Sequence, residues 1–214
     1  MAVMGVDIRV FKSGALECEQ LLKNTSLKEN SAVRYAAIRF LLQKKGFLVE
    51  NLACFEPHLE SFSKWWLQLH GETEGKNECS ILPMTTLFSE DLHAIGQYIQ
   101  QGRKFIFETL LHMMETTGVQ IPASDIDDGF SYLNGKSFDT LNETVFSAVA
   151  GAHSEGGVPI IKLYASEMSE SAFGETMYWQ MFSSYISGAL MGIEPFDQEG
   201  VENYKRIMRM ELDK

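Results

Sequence analysis

Short apolar runs alternate along this chain with longer segments whose apolar residues recur at helical spacing. That alternation constrains the fold more than any other feature. Strands interleaved with helices make strand–helix–strand units, which demand a mostly parallel sheet covered on both faces. The expected class is therefore α/β, with three layers. Ser31 to Lys45 predicts a helix with Val33, Ala36, Ala37, Phe40 and Leu41 on one face, followed by a strand over Phe47 to Phe55. Pro57, at a favoured first-turn position, opens a helix through Trp65, Trp66 and Leu69 to about His70. Ser80 to Leu87 predicts a strand, and Ser89 an N-cap for a helix reaching Gln101 and closed by Gly102. Lys104 to Met113 carries a buried-strand pattern, residues 115–136 form a long loop, and a helix from Phe138 to about Ala152 stops at Gly156 and Gly157. A fourth strand is expected over Val158 to Tyr164, then a long apolar helix over Ser169 to Met191. Asp197 is expected to cap a last helix within residues 197–212. No repeat or linker divides residues 1–214, which read as one domain. Met1 to Val6 is an apolar opening with no capping residue before it, as if cut from something longer.

The totals remove several classes of function. A chain of 214 residues can bury a sizeable core. Its net charge of -11 opposes binding to nucleic acid, whose backbone needs clustered Lys and Arg, and docking on an anionic membrane. A few local cations would still admit a small anionic substrate. The absence of any run of about 18 apolar residues argues against a membrane span. Cys18, Cys54 and Cys79 are widely spaced, with no CxxC pair and no Cys/His cluster, so free thiols in a reducing, cytoplasmic compartment are expected and no metal site. No GxGxxG, P-loop or GxSxG motif occurs, and no cofactor is expected. The run Asp125 to Gly129 has the wrong acidic spacing for a calcium loop. The eleven methionines and the Trp65-Trp66 pair read as core and interface filler, and His153 as a packing or capping residue near the Gly-Gly turn.

Two places could hold chemistry. The segment Gly71-Glu72-Thr73-Glu74-Gly75-Lys76 reads as a polar loop after an aromatic helix. In one reading it is a solvated turn with a weak Glu–Lys pair. In the other a glycine-flanked turn presents a carboxylate to a substrate carbon, and either Glu72 or Glu74 could supply it. His93 stands near a helix N-terminus, whose dipole disfavours the imidazolium, and a lone histidine there is usually structural or exposed.

The stretch Gly188 to Lys205, GALMGIEPFDQEGVENYK, tips the balance. It resembles a signature segment of the glucose-6-phosphate isomerase family, in which Phe-Asp-Gln-x-Gly-Val-Glu-x-x-Lys follows small and apolar residues. Other segments fall into register with that resemblance. WWLQLHGETEGK (Trp65 to Lys76) looks like the family's catalytic-glutamate segment in its bacterial form, and DLHAIGQYIQQ (Asp91 to Gln101) resembles the one carrying its catalytic histidine. Asp125 to Lys136 resembles its acidic loop, and AHSEGGVP (Ala152 to Pro159) its Gly-rich turn. The resemblance covers essentially the whole chain and matches the C-terminal half of the family enzyme.

It implies a sugar-isomerase (SIS-like) domain that interconverts glucose 6-phosphate and fructose 6-phosphate through an enediol. Glu72 is then the base, which moves a proton between neighbouring carbons. His93 assists ring opening from across a dimer interface, and Lys205 assists it and contacts substrate oxygens. Gln68 and Gln198 contact substrate. Gln198 and Lys205 are seven apart, so one helix face is expected to present both. The family's first half supplies a Ser/Thr-rich phosphate loop and a Gly-Gly-Arg segment, neither of which occurs here. The implied partners are a sugar phosphate and either a second copy or a separate N-terminal half. The competing expectation is a sugar-phosphate-binding or regulatory remnant without turnover.

Overall fold

The computed structural model describes residues 2–24, 26–115, 118–126 and 128–213. Polar side chains start most of the long helices by taking up orphan amide protons. Asp7 accepts from Arg9 and Val10 and so begins α1 (Ile8–Leu21). It is the cap that the apolar opening lacked, and the helix it starts was not expected; Met1 lies outside the described residues. Asn30 caps α2 (Ser31–Lys44) through Val33 while its own amide donates to the carbonyls of Leu22 and Asn24. Ser137 and Ser169 do the same for α5 (Phe138–Glu155) and α6 (Glu170–Met191). The remaining helices are α3 (Glu60–Glu74), α4 (Ile95–Gln101) and α7 (Glu202–Leu212).

Four strands among the described residues, β1 (Val49–Cys54), β2 (Leu82–Leu87), β3 (Ile106–Glu115) and β4 (Ile160–Glu167), lie in the order β2-β1-β3-β4. Every pair is parallel. The step from β1 to β2 runs opposite to the later steps, so right-handed crossovers send α3 to one face and α4 and α5 to the other. Side-chain alternation follows that division. Val49, Ala53, Ile106 and Leu110 pack with Ile99 of α4 and Phe146 and Val149 of α5. Leu52, Cys54, Leu111 and Met113 pack with Phe62 and Trp66 of α3 and Phe173 of α6. All of β1 is buried, as a central strand covered on both faces must be. The expected three-layer α/β class with a parallel sheet is what the chain adopts.

Several local expectations are corrected. The face of α2 that enters the core is Ala32, Tyr35, Ala36 and Arg39, whereas Leu41 of the expected stripe is 59% exposed. Pro57 opens a 3₁₀ turn (Pro57–Leu59), and α3 then runs four residues beyond His70, so Gly71 to Glu74 are helical. Ser89 caps nothing: a 3₁₀ turn (Asp91–His93) follows β2, and α4 begins only at Ile95. Asp91 instead accepts from the Leu87 amide at 2.8 Å. The last helix starts at Glu202 without a side-chain cap, leaving Asp197 and Gln198 in the connection before it. The loop over residues 115–136 contains a 3₁₀ turn (Ser131–Leu133) and an antiparallel bridge between Gln120 and Ser137. Thr116, Thr117 and Asp127 lie outside the described residues, so the Asp125 to Gly129 run is described only in part.

Each face of the sheet also buries a polar network. On the α4/α5 face Asn51 donates to Thr86 at 3.0 Å and to Glu108 at 3.2 Å, and Glu108 meets His153 Nδ1 at 2.6 Å. On the other face Arg39, fully buried, holds Glu50 at 2.5 Å and Glu74 at 2.5 and 3.0 Å, and donates to Ser187 at 2.6 Å. Tyr35 and Thr109 each donate to Glu50 at 2.5 Å, and His70 lies 3.1 Å from Glu74. Burying an arginine is tolerable only because both flanking carboxylates are fully engaged. Three helices, α2, α3 and α6, and the sheet are thereby tied at one point.

Candidate active site

Helix α3 leaves the carboxyl end of β1 and runs back along the sheet, so its last turn lies at the amino end of β2. A Cβ on Gly71 would stand 3.9 Å from Pro83, the second residue of β2. Helix α6 returns from β4 alongside it. Trp66 of α3 donates to Gln180 of α6 at 3.2 Å, and a Cβ on Gly188 would stand 3.7 Å from Thr73. Gly192, with φ 72°, then closes α6 in a left-handed turn, and the Ile193 amide bonds back to Gly188. The chain that follows comes down directly over the end of α3.

Glu72 is exposed in that corner, and both of its oxygens are engaged. Gln68, one turn earlier, donates to Oε1 at 2.8 Å, and Gln198, from the far end of the chain, donates to Oε2 at 2.6 Å. Three of the five expected site residues therefore meet at one carboxylate. Glu74, two residues on, faces the opposite way into the Arg39 network. Burial alone would raise its pKa, but the Arg39 guanidinium and His70 overrule that and hold it at about 2. A sealed, ion-paired carboxylate cannot meet a substrate, so Glu72 is the accessible member of the pair.

Lys76 does not pair with Glu72 or Glu74, as the solvated-turn reading of this segment had it. Its ammonium donates to the Glu194 carbonyl at 2.6 Å and pairs with Asp197 at 2.8 Å. Both residues stood in the two matched segments, and opposite charges there were the only sequence signal of the contact. Lys205 lies on α7, bonded to Glu202 at 2.8 Å, and that bond raises its pKa. Gln198 precedes the helix, so one helix face does not present it together with Lys205.

His93 is exposed just past the carboxyl end of β2. Leu82 to Leu87 spans roughly 16 Å of strand, so His93 and Glu72 occupy opposite ends of the sheet. One chain cannot place them on one small sugar. Two cavities, about 420 and 570 Å³, lie over β3, β4 and α6, the first at the carboxyl ends of the strands, where open parallel sheets commonly bind ligands. None of the five candidate residues lines either cavity. Among the described residues no cluster of three or more His, Cys, Asp or Glu could hold a metal ion, and no helix is long and apolar enough to cross a membrane.

Known proteins resemble this chain in sequence and in fold. The chain is 41% identical over 210 residues to a glucose-6-phosphate isomerase of Shouchella clausii (strain KSM-K16), a match covering 97% of this chain and 47% of that protein. It is 40% identical over 210 residues to that of Clostridioides difficile (strain 630), with the same coverage. The chain is related in sequence to the glucose-6-phosphate isomerases. It spans about half the length of the curated relatives it matches. No family model matches the chain. A hypothetical protein from Thermus thermophilus superposes with a TM-score of 0.90 at 25% identity, over 98% of this chain and 51% of that one. A glucose-6-phosphate isomerase from Chlamydia trachomatis superposes with a TM-score of 0.82 at 17% identity, over 95% and 42%, and so shares the fold. The sugar-isomerase type of parallel sheet seen in glucose-6-phosphate isomerases is thus present here.

Proposed function

We propose that this chain is the proton-transfer half of an aldose–ketose isomerase acting on glucose 6-phosphate and fructose 6-phosphate, a single sugar-isomerase domain over residues 1–214 that corresponds to the family's C-terminal half. The observation that carries the reading is the exposed Glu72 carboxylate held by two amides from separate segments. A base that must accept a proton from one carbon and return it to the next needs a fixed position over both. Glu72 takes the proton, the C–H electron pair forms the enediol double bond, and the carbonyl oxygen gains a proton. Glu72 then returns the proton to the adjacent carbon while the hydroxyl on the first carbon gives up its own proton and becomes the new carbonyl. Gln68 and Gln198 orient the carboxylate and contact the sugar. Lys205, on the helix after Gln198, assists ring opening.

His93 shares that ring-opening role only from a second copy of the chain, because it stands at the other end of the sheet. The substrate phosphate and the developing enediolate call for cationic or donor groups that a complementary N-terminal half would bring, and losing one such donor costs about 3 kcal/mol. The assembly is therefore a homodimer, a complex with that half, or both. A reducing, cytoplasmic setting suits the three unpaired cysteines.

The test is a coupled assay of fructose 6-phosphate isomerisation, with this chain alone and with the N-terminal half of a relative added. Turnover that disappears in Glu72→Gln supports the reading. Turnover untouched by that substitution removes Glu72 as base. Sugar-phosphate binding without turnover under both conditions favours a non-catalytic module.

A further inference from the structure

We propose that the Lys76–Asp197 pair is a positioning clamp that seats Gln198 on Glu72. This rests on the reading of Glu72 as the base and adds to it the device that orients that base. The end of α6 is well anchored: Ile193 is buried, and Pro195 lies against Gly188. Beyond that point the chain loosens. Phe196 is 80% exposed and meets only the face of Tyr185, at 5.9 Å, among the described ring contacts. No residue of α7 is buried. Gln198 therefore sits on a stretch with little packing to hold it.

Lys76 supplies the hold. It lies four residues after Glu72, just past the end of α3, with its side chain only 15% exposed. One ammonium bonds the Glu194 carbonyl and the Asp197 carboxylate together, fixing the connection at two points, the second directly before Gln198. The carrier of the base and the carrier of its second amide are thereby locked to one another. A flexible lysine reaching across is suited to this, since its ammonium offers three donors to acceptors in different directions. Helix α3 ends at Glu74, and the residues after Lys76, Asn77 and Glu78, have φ of 56° and 54°, so the backbone leaves this corner by a turn that non-glycine residues seldom adopt.

The Asp197 side chain is 44% exposed, so the pair adds little to global stability and its loss should be felt in geometry and not in folding. The clamp is tested directly by the side-chain amide resonances of Gln198 in the 214-residue chain, assigned with Gln198→Ala. Glu72→Gln marks where they move when the bond is weakened. Lys76→Met and Asp197→Asn should shift them the same way, with the backbone amides of Trp66 to His70 unmoved. Lys76→Arg, which keeps donors for both acceptors, should bring them back. In the active assembly Lys76→Met should lower kcat by roughly ten- to a hundredfold, as misplacement by an ångström does, with the melting temperature unchanged. Gln198 resonances that stay in place in Lys76→Met overturn the clamp, whatever the turnover. Resonances that shift in an assembly whose turnover ignores Glu72→Gln leave the clamp standing and remove the isomerase reading.

Discussion

Arg39 and Glu74 are joined by two hydrogen bonds, 2.5 and 3.0 Å long, and neither side chain has any exposed surface. The guanidinium belongs to α2 and the carboxylate to the last turn of α3. The same guanidinium reaches Glu50 of β1 and Ser187 of α6, so the bond fixes the turn that carries Glu72 against both the sheet and the neighbouring helix. Removing the arginine would strand two buried carboxylates. Arg39→Met should therefore destabilise the chain by about 3–5 kcal/mol, measured by urea unfolding. A loss under about 1 kcal/mol would mean that water enters and solvates the carboxylates.

The pH dependence of stability follows from the same pair. The Glu74 carboxyl is held at about 2, below the value of near 4.5 it would have in an unfolded chain. A depressed carboxylate stabilises the fold above its unfolded pKa, and that contribution is lost as pH falls toward its folded pKa. The window is therefore about pH 4.5 down to pH 2, and the linked stabilisation is roughly 3 kcal/mol at neutral pH. Glu74→Gln should flatten the fall in unfolding free energy across that window. A slope equal to that of the parent chain would exclude Glu74 as its source.

Helices α1 and α6 cross through two glycines. A Cβ on Gly14 would lie 1.9 Å from the Ser171 carbonyl oxygen, and one on Gly174 would lie 2.0 Å from that of Phe11. Backbone cannot yield as a flexible side chain does, so the helices would have to move apart. Gly14→Ala and Gly174→Ala should each cost about 1–3 kcal/mol despite their better helix propensity, seen as a lower thermal midpoint. Gly151, also inside a helix, has open space around its missing Cβ, and Gly151→Ala should be neutral or stabilising.

The separation of Glu72 and His93 makes a complementation test possible. If one site draws the two residues from different copies, Glu72→Gln and His93→Ala should each lower kcat by roughly a hundred- to ten-thousandfold. Mixing the two variants should recover part of the activity, because a mixed dimer contains one site with both native residues. Mixed samples no more active than the separate variants would rule out sharing across copies.

The α/β class was legible because its cause is local and repeated. Buried parallel strands write themselves as short apolar runs, and β1 to β4 stand within a few residues of where those runs lie. Helix α1 was not legible, since its buried residues are Gly14 and Cys18, and small contact residues leave no apolar stripe. Arg39 ran against the pattern outright. A charged residue at that position reads as solvent-facing, and only carboxylates from β1 and α3 reverse it. The Pro57 helix was traced too short because Gly71 and the polar residues after it resemble a loop, although the helix continues under the packing of α6.

At the site, the sequence by itself determined that two glutamates, a histidine, a lysine and two glutamines stand in segments that resemble one family's. The residues alone left Glu72 and Glu74 open, and only the resemblance favoured Glu72. Two positions along a helix turn the side chain by about 200°, so neighbours of the same chemistry point to opposite sides. Which side is core and which is solvent depends on Arg39, 35 residues earlier, and on Gln198, 126 residues later. Contacts over those separations exist only once the chain has folded. The tertiary structure alone therefore sealed Glu74 in an ion pair and left Glu72 in the open, held by amides from two different segments.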